Sequence, residues 1–181
     1  MLGMMIFIGW TIAAVIVPRL ADLYGRKPLY LLNLVLQTVA CLFLIISKTP
    51  QITGLGLFLI GICCAGRWTV TYIYLTEFWT EKNIKRFGPF VNASAAVALV
   101  VGAFTFQVLT RKTVYIEYLA LLLSVFAAIM GYFLMPESPK WLIGQGQMEK
   151  ARLAYQTIVK TNGKEEDLSR LSEWTFKQET V

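Results

Sequence analysis

The run YLALLLSVFAAIMGYFLMP, residues 118–136, carries no charge. From Leu119 to Met130 it is apolar on every side. It shows neither the short alternating pattern of a barrel strand nor the polar stripe of a surface helix. A bilayer core about 30 Å thick needs roughly 17–25 such residues as a helix. A helix also closes its own backbone hydrogen bonds, which lipid cannot do for it. The run therefore reads as a membrane-spanning helix.

Four more runs of this kind precede it. Residues 1–18, 28–47 and 87–110 are uncharged, and residues 49–76 hold one charge, Arg67. Five spans are predicted, over about 2–18, 28–47, 52–77, 89–109 and 116–135. The fold class is all-α, a polytopic membrane helix bundle. The first run lacks a basic leader, and Val15–Val17 before Pro18 makes a poor cleavage site, so it reads as a span and not as a signal peptide.

Composition agrees. Of 181 residues, 56% are hydrophobic and 15% charged, against about 25% charged in a soluble domain. Residues 1–143 hold eleven Lys/Arg and five Asp/Glu, whereas 144–181 hold six of each, so the net charge of +6 belongs to the apolar part. Those basic residues sit in short clusters between apolar runs, which fits the ends of membrane spans better than a nucleic-acid surface. No nucleic-acid partner is expected. His is absent, so no His-based metal site or Ser/Cys–His pair can form within the chain. Cys41, Cys63 and Cys64 lie in apolar runs and read as reduced core residues. Neither a catalytic site, a cofactor nor a metal is expected, and the chain reads as a non-enzyme.

Charge bias sets the orientation. The loops 19–27 and 79–88 carry Arg19, Arg26, Lys27, Lys82, Lys85 and Arg86, and the opposite loops carry Lys48, Arg111 and Lys112. The richer side is cytoplasmic or its equivalent. Beyond the last span the chain changes character. Ser138-Pro139 is a helix start, because Ser caps and Pro suits the first turn. Amphipathic helices are expected at about 147–161 and 165–177, the first stopped by Asn162-Gly163. The chain divides into a five-span bundle, 1–137, and an intracellular helical segment, 138–181.

Three motifs carry chemistry. The first cytoplasmic loop places Asp22, Gly25, Arg26 and Lys27 before Pro28. Gly25 permits a positive φ, and Asp22 and Arg26 can bond to each other or to helix ends. By composition alone this is an ordinary basic turn. The fifth span exits into Pro136-Glu137-Ser138-Pro139-Lys140-Trp141-Leu142. Between them, Arg67 is the one ionisable residue deep in a span, about ten residues from Glu77, with Trp68, Tyr72 and Tyr74 close by in sequence. A charge there costs at least ~2.5 kcal/mol unless it meets protein, water or a ligand. It is either a substrate contact or one half of a structural pair.

The first loop resembles the loop between the second and third helices of major facilitator superfamily transporters, G-x-x-x-D-[RK]-x-G-x-[RK]-[RK]. Asp22, Gly25 and Lys27 match, while Pro18 and Leu23 depart from it. The second motif resembles the P-E-S-P-[RK]-W-L signature of the sugar and organic-ion branches, with Lys140 where Arg is commoner. The stretch from Tyr72 to Thr76-Glu77-Phe78 is similar to the fourth helix of organic cation and anion transporters. The likeness is collinear from about residue 4 to 165. It implies a solute carrier in which Asp22, Gly25, Arg26, Lys27, Glu77, Arg86, Glu137 and Lys140 form a cytoplasmic charge network that closes in one conformation and opens in another. It makes Arg67, Trp68 and Tyr72 possible intramembrane contacts for a small organic solute.

The resemblance supplies helices two to six of a twelve-helix carrier, whose substrate lies between two halves. The expected partners are therefore the lipid bilayer and other membrane chains. Two functions follow from this. One is an organic-ion or sugar-type carrier that works only with complementary chains. The other is a transporter-derived structural subunit of a larger membrane complex. Either places the chain in a plasma or organellar membrane, the mitochondrial inner membrane included.

Overall fold

A computed structural model describes residues 2–79, 81–105, 107 and 114–161. It contains α1 (Leu2–Tyr24), α2 (Arg26–Ile46), α3 (Pro50–Phe78), α4 (Glu81–Phe104), α5 (Val114–Leu134), α6 (Pro139–Gly144) and α7 (Met148–Thr161). The first five are long and apolar enough to cross a membrane, as the uncharged runs require. The expected tail helix over 147–161 is α7, and the one over 165–177 lies outside the described residues.

The span boundaries differ from the sequence reading at one end of the bundle. The expected loop 19–27 shrinks to Gly25, because α1 continues through Pro18 to Tyr24. Most of the expected loop 79–88 is the start of α4, which also contains an internal proline, Pro89. Hydropathy reports how much helix the bilayer covers and not where the helix stops. A proline removes one backbone donor, and membrane helices tolerate it where neighbours adjust.

Packing is tightest between α1 and α3. In α1, Gly9, Ala13, Val17 and Ala21 recur every fourth residue and are all buried. A Cβ at Gly9 would run into the Phe58 carbonyl, and one at Gly61 into the Ile6 carbonyl. The two backbones therefore touch. Lipid offers no hydrophobic drive between helices, so close approach of small residues must hold the pair. The helix α2 packs on α3 and α5. Asn33 sits against Gly66, and Thr38 Oγ1 lies 3.0 Å from Ser124 Oγ across the α2–α5 seam. By contrast, no described side chain of α4 is buried.

The short α6 starts as the sequence suggests. Ser138 Oγ accepts the Trp141 N–H at 3.3 Å, with Pro139 in the first turn. Gly146, at φ +72°, turns the chain into α7. Leu142, Ala151 and Ala154 form a small core between the two helices.

Candidate functional site

Two features stand out, and the first lies where α1, α2, α3 and α5 end together. The first N–H groups of any helix lack intrahelical acceptors. At α2 the cap position is Gly25, which has no side chain to offer. Glu137, at the exit of α5, supplies the acceptor instead. Its Oε1 takes the backbone N–H of Arg26 at 2.9 Å and of Lys27 at 3.2 Å. It also takes the N–H of Ser138 at 3.1 Å. A carboxylate there also meets the positive end of the helix dipole. Gly25 itself has φ +99° and ψ 161°, and a Cβ on it would stand 2.9 Å from Glu137 Oε2.

The Arg26 side chain folds back across the end of α1. Its Nη1 donates to the Ala21 carbonyl at 2.8 Å, and Nη2 lies 3.0 Å from Asp22 Oδ1. Its Nε reaches the two Glu77 oxygens at 3.0 and 3.2 Å, and Nη2 lies 2.8 Å from Glu77 Oε1. The Arg26 and Glu77 side chains are only 10% and 8% exposed, whereas Asp22 is 68% exposed. The inner pair is thus dry and the outer one wet. Removing one partner of a buried pair costs about 3–5 kcal/mol, because the other charge is stranded. An exposed pair is worth about 0–1 kcal/mol.

Three further bonds fasten the segment after α5 to this node. Tyr74 Oη donates to the Pro136 carbonyl at 2.8 Å. Trp141 Nε1 donates to the Asp22 carbonyl at 2.7 Å. Lys27 Nζ donates to the Tyr132 carbonyl at 2.9 Å and lies 5.6 Å from that ring's centroid. Of the residues expected in the network, Asp22, Gly25, Arg26, Lys27, Glu77 and Glu137 come together. Lys140 is exposed on α6 and stands outside the described ion pairs. Arg86 is exposed on α4. The sequence reading assigned no part to Trp141 or to the Tyr74 hydroxyl. A buried or interfacial indole or phenol needs a polar partner for its tip, and that was the available signal.

The second feature is a cavity of about 820 Å³ along α3, bounded by α4 and touched by Trp10 of α1 and Tyr30 of α2. Arg67, Trp68 and Tyr72 all line it, so the expected intramembrane group does share one space. Tyr74 turns the other way, to Pro136 and to a stacked contact with Phe78, 4.3 Å between ring centroids. Arg67 lies eleven residues before the end of α3, about 16 Å along its axis. Its neighbour Cys64 is a thiol, and among the described residues no carboxylate forms an ion pair with Arg67.

Five membrane-length helices, a polar node at one end and a roomy cavity along the third helix define a multi-pass integral membrane protein of the transporter type. The whole chain confirms this at the level of family. Residues 1–179 match the model of the sugar (and other) transporter family, and the chain belongs to that family. It is 31% identical over 159 residues to solute carrier family 22 member 2 of Oryctolagus cuniculus, covering 87% of this chain and 28% of that protein. The corresponding Homo sapiens protein is 29% identical over 157 residues, with the same coverage. Solute carrier family 22 member 15-like of Xenopus laevis is 25% identical over 166 residues, 91% of this chain and 34% of the relative. The chain thus spans about a third or less of the length of these relatives.

Proposed function

We propose that this chain forms one wall of a carrier for small organic solutes, with the Arg26 node as its cytoplasmic gate and the α3 cavity as part of its solute path. Family membership supports the transport reading. The observation that carries the gate is Glu137. It caps α2 through backbone bonds and is linked to α3 through Arg26 and Glu77. A single carboxylate thereby couples three helix ends and the α6 segment. Each bond is modest, so the assembly can open when the helices rock, and a few kcal/mol suffices to bias two states. Residues 1–137 act as the membrane bundle and 138–181 as the intracellular segment that reports its state. The opposite wall comes from further helices, whether of the same polypeptide or of another chain.

A second reading is a structural subunit without transport. The bare surface of α4 favours it, since a partner chain could cover that surface permanently. Uptake separates the two. Proteoliposomes holding the assembled protein should accumulate an organic solute, and Glu137→Gln should change the rate. Assembly without uptake, unaltered by Glu137→Gln, favours the structural subunit.

A further inference from the structure

We infer that the groove between α1 and α2 holds an acyl chain of an anionic phospholipid, with Arg19 at its mouth receiving the headgroup phosphate. The inference does not depend on what the protein carries. Both helices pack on α3 but touch each other only lightly. The gap between them is a groove of about 160 Å³, floored by Ala13, Val17, Leu29 and Ile62 and rimmed by Ile16 and Leu32. Ala13, Val17 and Leu29 are at most 5% exposed, whereas Ile16 is 49% and Leu32 52% exposed. The groove therefore opens sideways, away from the bundle.

Length and chemistry both suit a hydrocarbon chain. The lining on α1 runs from Ile12 to Leu20, about 12 Å along the helix axis. The hydrocarbon of one leaflet is about 15 Å deep, half of the bilayer core. On α2 the lining starts at Leu29, just past the turn at Gly25, so the groove leads inward from the end that carries the Arg26 node. Asn33 is the one polar residue among the described residues that line it. It is 3% exposed, its amide donates to the Leu29 carbonyl at 2.8 Å, and its Oδ1 lies against Gly66. The surface left to an occupant is aliphatic. It gives a polar solute no hydrogen bonds, while a methylene chain restores the dispersion contacts that an unfilled groove forgoes.

Charge then selects the headgroup. Residues 1–18 carry no charge, and Arg19 is the first in α1. It stands three residues beyond the rim residue Ile16, on the same side of the helix. It is exposed, and among the described residues it has neither a hydrogen bond nor an ion pair. Asp22, the acid closest in sequence, is held by Arg26 at 3.0 Å. Arg26 is further engaged by Glu77, and Lys27 by the Tyr132 carbonyl. Arg19 is thus a cation with its donors free, at the depth where a phosphate lies when its acyl chain fills the groove. The planar guanidinium matches phosphate through paired bonds. A zwitterionic headgroup brings its own cation to compete for that phosphate, and an anionic headgroup does not.

The test is native mass spectrometry of the assembled protein, released from micelles that contain dioleoyl phosphatidylglycerol or dioleoyl phosphatidylcholine. The first phosphatidylglycerol should bind about fivefold tighter than the first phosphatidylcholine, the effect of one basic residue on an anionic lipid. Arg19→Gln should bring the two within about twofold of each other, and Arg19→Lys should keep part of the preference. Ile16→Trp fills the rim and should weaken both lipids, because it excludes the chain whatever the headgroup. Glycerol 3-phosphate, the headgroup without chains, should not bind. The wild-type comparison of headgroups needs no variant, and thermal melting in lipid-free detergent verifies that each variant is folded. A preference that survives Arg19→Gln overturns the phosphate contact. Lipid binding unchanged by Ile16→Trp, or binding of glycerol 3-phosphate as tight as that of the lipid, overturns the groove. Failure of both lipids to bind overturns the whole inference and leaves the groove to a helix of a further segment or chain.

Discussion

Gly25 can be tested by adding one methyl group. Its φ of +99° and ψ of 161° lie in a region that only glycine occupies readily, and another residue there costs about 1–3 kcal/mol. In Gly25→Ala the new Cβ would also stand 2.9 Å from Glu137 Oε2. If the carboxylate retreats, α2 loses its cap, worth about 1 kcal/mol. The expected destabilisation is about 2–4 kcal/mol. On the scale of chains this size, that is a fall in melting temperature of roughly 4–16 °C. The sign is the sharp part, because Gly→Ala at a position with ordinary backbone geometry stabilises by about 0.4–1 kcal/mol. Thermal unfolding of the purified protein in detergent, followed by tryptophan fluorescence, reads the effect. The double variant Gly25→Ala/Glu137→Ala should lose less than the sum of the two single changes, since the clash is gone and the backbone strain alone remains. A neutral or raised melting temperature for Gly25→Ala would falsify the trans-cap geometry.

The other contacts at the node and between the helices can be tested in the same way. Glu77→Gln leaves Arg26 in a dry site with only the exposed Asp22 as counter-charge and should cost up to about 3–5 kcal/mol, whereas Asp22→Asn should cost no more than about 1 kcal/mol, both read by thermal melting. Trp141→Phe removes the bond to the Asp22 carbonyl and should cost about 1 kcal/mol, with faster proteolysis after α5 as the readout. Gly61→Ala should prevent accumulation of folded protein, because its Cβ meets the Ile6 carbonyl. Gly131→Ala should be tolerated, because its nearest neighbour is a Leu31 methyl at 3.4 Å. Cysteines placed at 24 and 140, both exposed, should react with an impermeant reagent from the same side of the membrane, and labelling from opposite sides would break the topology.

The number of spans was legible because lipid imposes it. An apolar run of bilayer length, such as 118–136, has few other physical readings. The helix ends at the node were not legible, because Arg19–Tyr24 and Glu81–Gly88 stay helical beyond the apolar stretch. Capping chemistry shows in sequence when the cap is local, as at Ser138, and that assignment holds. Glu137 caps a helix that begins 111 residues earlier, so no window along the chain reveals the bond. Resemblance brought Glu137 into the network without saying that it binds backbone. The same likeness included Lys140, whose side chain stays in the open. Arg67 was conspicuous as the lone charge in a span, but that Trp10 and Tyr30 reach the same cavity depends on how α1 and α2 pack.

The claim that the Arg26 node is a moving gate is tested most directly by distance. Spin labels at Leu23, on the exposed end of α1, and at Lys140, on α6, report whether these ends separate. Pulsed electron–electron resonance on the assembled protein should give two populations, a close one matching the bonded node and a longer one. Glu137→Gln should enlarge the longer population. A single close distance, unchanged by solute and by Glu137→Gln, would contradict the gate and leave a static brace in its place.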